Sequence, residues 1–142
     1  VVSSLKLLNL RANKIVAINR NSFGGFYDLV ELNLHKNEIE FIDDLALRDL
    51  RNLRILDLRI NKLSGLNNAL LSNQQKLNAL LLSENRIGFI DPQAFRNLDE
   101  LRVLELANNQ IRMLDRMVFK ALQNLRKLDL STNSLRFIDK FI

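Results

Sequence analysis

Leucine recurs every 24 residues along this chain, and the other apolar positions keep the same spacing. The first Leu of each repeat is Leu5, Leu29, Leu53, Leu77, Leu101 and Leu125. Two further Leu columns follow three and five residues later, and they alternate with polar or variable residues. This alternation predicts a short strand with one buried face in every repeat. We therefore expect six parallel strands, stacked about 4.8 Å apart.

A column of asparagines follows each predicted strand. It consists of Asn13, Asn37, Asn61, Asn85, Asn109 and Asn133. The chain must turn away from the strand here, and an amide side chain can pair with backbone groups that the turn leaves without partners. We expect a buried structural ladder of Asn side chains, because hydrogen bonding explains their fixed phase and ligand binding does not.

The outer half of each repeat carries a polar column and a bulky apolar column. The polar column is Asn19, Asp43, Asn67, Asp91, Asp115 and Asp139, and the bulky column is Phe23, Leu47, Leu71, Phe95 and Phe119. Asp91 precedes Pro92 in the manner of a helix N-cap followed by Pro at the first helical position. A short 3₁₀ or helical turn is the expectation for the outer side, with the bulky side chains pointing back into the core.

The whole frame, L-x-x-L-x-L-x-x-N-x-φ-x-x-φ, resembles the leucine-rich repeat family. The resemblance implies an α/β solenoid, a curved right-handed coil with a concave parallel β-sheet and an irregular or short 3₁₀/helical convex side. A uniform period of 24 with Phe or Leu at position 19 is similar to the typical class of repeat. That class occurs in extracellular domains of Toll-like, Slit-like and chaoptin-like proteins.

The repeats divide the chain as one array over residues 1–142 without an internal domain boundary. Complete repeats are expected at 5–28, 29–52, 53–76, 77–100 and 101–124, with a partial repeat at 125–142 and the tail of a preceding one at 1–4. Terminal repeats of a solenoid need a cap over the core, and neither end offers one. We expect an internal piece of a longer array.

Basic residues exceed acidic ones, giving a net charge of +5 and a pI near 9.9. Sorted by repeat position, the basic side chains divide among several faces, without aromatic platforms beside them. We therefore predict no nucleic-acid partner, because such binding favours one basic face with stacking aromatics. Arg11, His35 and Arg59 share position 7 of neighbouring repeats and are the best basic patch for a polyanion, a weaker alternative.

An apolar zone interrupts the polar face of the predicted sheet. Position 5 is polar in five repeats, including Asp57 and Glu105, but Leu81 occupies it in the fourth. On adjacent strands, position 3 supplies Ile55, Ala79 and Val103, whose side chains should touch. Contiguous exposed apolar surface marks contact sites, although small apolar residues at position 3 also simply favour strands. Both interpretations stay open, and the binding hypothesis makes Leu81 an anchor.

Nothing in the sequence assembles a catalytic or metal site. The chain has one histidine, His35, with no serine near it in its repeat, and no cysteine. Acidic residues are dispersed among the repeats, so no ligand set for a metal converges. We expect no enzyme activity and no cofactor.

The resemblance implies a protein-binding module of an extracellular or cell-surface receptor or adhesion protein. Its partner would be a protein ligand or co-receptor that contacts the concave face, and its parent protein would be membrane-anchored outside this segment. A structural or scaffold protein, for which an intracellular location would also fit, is the alternative, and a regulatory region fused to an enzyme is a remote third. Within this segment itself we expect neither a signal peptide nor a membrane span.

Two departures from the repeat pattern stand out. Repeat three places Gln74 at a position that is otherwise apolar, and we predict a looser outer turn over residues 67–76. A Phe-Ile-Asp tripeptide beginning at Phe41 recurs at Phe89 and Phe137, twice the repeat length apart. It is either a trace of duplication or extra outer packing, and the sequence does not choose.

Overall fold

One strand per repeat builds the main sheet of the molecule. The computed structural model describes residues 3–138; the expectations for Val1, Val2, Asp139 and the last residues of repeat six lie outside them. The sheet has six strands, one from each repeat. In their order across the sheet they are Leu7–Asn9 (β1), Glu31–Asn33 (β3), Ile55–Asp57 (β5), Ala79–Leu81 (β7), Val103–Glu105 (β9) and Lys127–Asp129 (β10).

The strands are parallel and pair without slippage between repeats. Leu32 lies opposite Leu8 and Leu56, and Leu80 lies opposite Leu56 and Leu104. Because each strand starts at the same repeat position, every column of the sequence becomes a row of stacked side chains. The predicted leucine-rich repeat solenoid with a concave parallel sheet is confirmed.

Short two-residue strands follow the Asn turn and form separate pairs. β2, Ala17–Ile18, pairs with β4, Phe41–Ile42, and β6, Gly65–Leu66, pairs with β8, Phe89–Ile90. In each strand the second residue is buried and the first, except for Gly65, is exposed. These pairs form the flank of the solenoid, between the concave sheet and the outer side.

The core is a continuous stack of the Leu columns. Leu53, Leu56 and Leu58 of repeat three, for example, are almost completely buried. From the outer side, Phe95 and Phe119 point inward with nearly parallel rings whose centroids lie 6.4 Å apart. The bulky outer column therefore fills the space between the sheet and the return segment, as offset aromatic stacking favours.

The outer side is irregular. Within residues 3–138 the return segments consist of successive turns and include no helix, so the expected 3₁₀ or helical turn does not form. The polar column still organises these turns, because the Asp43 and Asp91 carboxylates accept hydrogen bonds from the amides of Leu45 and Gln93 at 2.9 and 2.8 Å. Each aspartate caps a turn rather than a helix.

In every repeat, the residue at position 8 adopts a left-handed backbone conformation in the turn that follows the strand. The residues with positive φ there are Ala12, Lys36, Ile60, Glu84, Asn108 and Thr132. In the first five repeats the amide of this residue donates to a carbonyl of the next repeat, as the Ile60 amide does to the Ser83 carbonyl at 3.1 Å. β-Branched Ile60 at φ 53° is costly in isolation. The hydrogen bonds between repeats hold this conformation.

Candidate binding surfaces

The apolar residues predicted on the concave sheet lie together. Ile55, Ala79 and Val103 are direct neighbours across three adjacent strands, and Leu81 lies two residues along the middle strand from Ala79. All four are partly exposed. They form what we call the concave apolar cluster, defined by these four residues.

Two acidic side chains flank Leu81 on either side, and both are paired. Leu81 lies between Asp57 and Glu105 in the sheet register. The Arg59 guanidinium donates to both Asp57 carboxylate oxygens, from Nε at 2.9 Å and from NH2 at 2.6 Å. Lys127 Nζ donates to Glu105 at 2.6 Å. The surface beside Leu81 is therefore nearly neutral locally, although it is built from charged groups.

These pairs alter the protonation equilibria of their basic members. The hydrogen bond to Asp57 raises the pKa of Arg59, and that to Glu105 raises the pKa of Lys127. The Asp57 side chain is only 6% exposed, so its carboxylate is committed to Arg59. Of the residues predicted to contact a ligand here, Asp57 is the least accessible, while Leu81 and Glu105 stay partly open.

The basic residues predicted at position 7 lie in one column, just beyond the ends of neighbouring strands of the main sheet. In each of these repeats, the residue at position 5 holds the turn after the strand in place. The backbone amides of Arg11, His35 and Arg59 donate hydrogen bonds to the side-chain oxygens of Asn9, Asn33 and Asp57 at 3.0 to 3.1 Å. Arg11 is exposed, whereas His35 and Arg59 are partly buried. Position 5 thus shapes the turn as well as the groove.

The Asn column forms a hydrogen-bonded ladder between repeats. Asn61 Nδ2 donates to the carbonyls of Leu58 in its own repeat and Leu34 in the previous one, both at 3.0 Å. Its Oδ1 accepts from the Ile39 amide at 3.0 Å. The same three contacts recur at Asn37, Asn85, Asn109 and Asn133. The ladder is structural, and it couples each turn of the coil to its neighbour.

A second exposed surface runs along the flank, at repeat position 13. Phe41, Phe89, Met113 and Phe137 are 56%, 62%, 77% and 80% exposed there, more than any residue of the concave apolar cluster. The Phe-Ile-Asp tripeptide therefore does not reflect extra packing, because its Phe faces solvent while Ile42 and Ile90 are buried. Our sequence analysis missed this surface. Alternation with the buried columns at positions 11 and 14 was the signal that could have found it.

Other classes of site find little support among residues 3–138. No group of three or more His, Asp or Glu side chains lies close enough to hold a metal ion in that part of the chain. None of its segments forms a helix long and apolar enough to cross a bilayer.

Comparison with known proteins identifies the family. Residues 3–63, 51–111 and 99–141 match the leucine-rich repeat family model, so the chain belongs to the leucine-rich repeat family. A comparison with curated proteins finds no significant match.

Solved structures place the chain beside Toll-type receptors. A structure of TLR13 in complex with ssRNA13 is 37% identical, with a TM-score of 0.82 over 93% of this chain. Two structures of the Drosophila Toll–Spatzle complex are each 24% identical, with TM-scores of 0.90 and 0.84 over 98% and 96% of it. The chain spans 19%, 20% and 23% of the lengths of the matched chains in these three structures. Because the two Toll structures are only 24% identical to this chain, they support the fold and nothing further.

Our exclusion of a nucleic-acid partner is wrong. The TLR13 structure similar to this chain is a complex with single-stranded RNA. We had excluded such partners because the basic residues divide among several columns. Phosphate contacts need only cations distributed along a surface, and they dominate affinity without any requirement for one column. Scattered basic residues were therefore insufficient grounds for the exclusion.

Proposed function

We propose that the protein is a receptor or adhesion module that recognises a secreted protein ligand through its concave sheet. Its parent protein would act outside the cell or at the cell surface. The observation that carries the proposal is the concave apolar cluster, placed in register on three strands between the ion pairs Asp57–Arg59 and Glu105–Lys127. Ligand-bound Toll and TLR13 structures with a similar fold support a binding role in general.

The mechanism is rigid display. Parallel strands and the Asn ladder fix the backbone beneath Leu81, so little conformational entropy is lost when a partner binds. An apolar anchor inside a ring of paired charges resembles a binding hot spot with a polar surround. The two flanking acids already have basic partners, so an apolar ligand group can approach Leu81 without leaving a carboxylate unpaired.

A binding role, rather than a catalytic one, is part of the proposal. His35 lies at the edge of the sheet, where its amide contacts Asn33, and no nucleophile is placed against its ring by any hydrogen bond within residues 3–138. The partners that the surface favours are thus held by shape and charge.

An array of secreted proteins, with single-stranded RNA as a separate probe, tests the proposal. Wild-type protein should retain at least one secreted protein, and Leu81→Asp should weaken that binding by at least about tenfold, as expected for a central anchor. Arg96→Glu, an exposed outer-side change, is the matched control and should bind like wild type.

Circular dichroism establishes that both variants are folded. Equal binding by wild type and Leu81→Asp, or retention of RNA without any secreted protein, would contradict the proposal. The absence of any retained partner would favour the scaffold alternative.

A further inference from the structure

The flank of the solenoid carries an apolar stripe that no contact within the molecule explains. The stripe consists of the position 13 residues Phe41, Phe89, Met113 and Phe137, each more than half exposed. Exposed side chains of this size, repeated along one face, mark a surface that another molecule covers. Between Phe41 and Phe89 the same position holds Gly65, so the stripe has a gap at repeat three.

Phe89 leans toward that gap. A Cβ placed on Gly65 would lie 3.8 Å from Phe89 Cδ1, so the ring lies beside the backbone of repeat three. The ring is still 62% exposed. Its apolar face is therefore presented at the boundary between repeats three and four, near the middle of residues 3–138.

The charge on this flank differs between repeats two and five. Repeat two contributes Glu38 and Glu40, which share Lys62: its Nζ lies 2.9 Å from Glu38 and 3.8 Å from Glu40. The closer hydrogen bond lowers the pKa of Glu38, and the Glu40 carboxylate stays 56% exposed. Repeat five contributes Arg112, which takes part in no ion pair within residues 3–138. Glu40 and Arg112 both occupy position 12, beside the stripe.

We propose that the apolar flank stripe pairs with the same stripe of a second copy of this chain, in an antiparallel arrangement. The twofold axis lies in the interface and runs from the concave to the convex side, between repeats three and four. Such an axis keeps each residue at its own distance from the concave face. Repeat two then faces repeat five of the other copy, and repeat three faces repeat four.

This arrangement matches the surface in shape and in charge. The two Phe89 rings meet at the axis, each over the Gly65 gap, while Phe41 faces Met113 and Phe137 faces the exposed Ala17 of repeat one. Glu40 faces Arg112 of the other copy, and every contact occurs twice, as an isologous interface requires. Lys62 faces Arg86, and the two carboxylates that Lys62 contacts offset this repulsion. Both concave sheets stay open on the same side of the pair.

Sedimentation velocity over a range of protein concentrations tests the pairing. Wild type should dimerise, and Phe89→Asp should weaken dimerisation by at least about tenfold, because it buries a charge at the axis. Glu40→Arg and Arg112→Glu should each weaken it, whereas the double variant should return to within about threefold of wild type. Arg96→Glu, on the outer side, should not alter it.

Cysteine cross-linking fixes the register. The chain has no cysteine, so Glu40→Cys combined with Arg112→Cys should form a covalent dimer on mild oxidation, and neither single variant should. A monomeric wild type at every concentration would overturn the proposal, as would failure of the charge exchange to restore dimerisation. Binding of single-stranded RNA that depends on Phe89 in a monomeric protein would assign the stripe to a nucleic acid instead.

Discussion

Repeats three and four share an inner wall but differ on their outer sides. Asn61 and Asn85 make the same contacts: each Nδ2 group donates to two leucine carbonyls at 2.9 to 3.0 Å, and each Oδ1 accepts one amide of the previous repeat. On the outer side, repeat three buries Gln74 where repeat four buries Leu98. The comparison teaches that the Leu and Asn columns define the coil, while the return segment tolerates a polar defect.

The defect itself is a half-satisfied amide. Gln74 is 1% exposed, and its Nε2 donates to the Leu47 carbonyl at 2.6 Å. Its Oε1 is buried and has no hydrogen-bond partner. The Leu47 carbonyl also accepts the Leu50 amide at 3.0 Å, so it does not depend on Gln74. Repeat three therefore carries the desolvation cost of one carbonyl oxygen, which repeat four does not.

Of the changes considered, removal of a side chain of the Asn ladder, which both repeats share, should lower the free energy of unfolding the most. Asn61→Ala deletes four hydrogen bonds and leaves the buried Ile39 amide without an acceptor, although Leu34 and Leu58 keep the contacts of Asn37 and Asn85. We expect the free energy of unfolding to fall by about 3 to 5 kcal/mol. Urea denaturation measures it, with exposed Asn68→Ala as the control; an equally small loss in both variants would contradict the ladder.

Exchange of the outer residues Gln74 and Leu98 between the two repeats should change the free energy of unfolding less, and in opposite directions. Gln74→Leu removes the unpaired oxygen and should raise the free energy of unfolding by about 1 to 2 kcal/mol. Leu98→Gln introduces the same defect in repeat four and should lower it by about 1 to 3 kcal/mol. Thermal and urea denaturation of both variants check these values. Destabilisation by Gln74→Leu would show that the Leu47 contact outweighs the buried oxygen.

The smallest expected difference between the two repeats is in the local opening of their outer turns. We predict that the outer turn at 67–76 is looser than its counterpart at 91–100, so amide exchange at Ser72 and Gln74 should be about tenfold faster than at Arg96 and Leu98. Their turn hydrogen bonds have similar lengths, 3.1 to 3.2 Å, so a difference would arise from the defect beneath them. Gln74→Leu should remove it; equal rates in wild type would contradict the prediction.

The period of 24 made the concave sheet and the Asn ladder predictable, because a given repeat position has the same surroundings in every repeat. The Leu columns point into the core, and the Asn column meets the same carbonyls in every repeat. The outer side was less predictable, since Asp91 before Pro92 fits a helix start and a capped turn equally well, and the structure shows the turn. The Asp91 amide also donates to the Leu66 carbonyl of the previous repeat at 2.8 Å, a contact that local residue preferences do not predict.

Two further features could not be read from residue types. The left-handed conformation at position 8 falls on Ile60 and Glu84 rather than on glycine, because contacts between repeats impose it. The exposure of Phe41 and Phe89 depends on how the two-residue flank strands direct their side chains. The members of the concave apolar cluster were predictable, since strand alternation sets which side chains share a face.

Thiol labelling at the concave sheet tests the central claim most directly. Ala79→Cys puts a single reactive group inside the concave apolar cluster, and Arg96→Cys puts one on the outer side of a chain that has no cysteine of its own. The secreted protein retained on the array should slow labelling at position 79 by at least about tenfold and leave position 96 unchanged. Unchanged labelling at position 79 in the bound state would show that the ligand does not occupy the concave sheet.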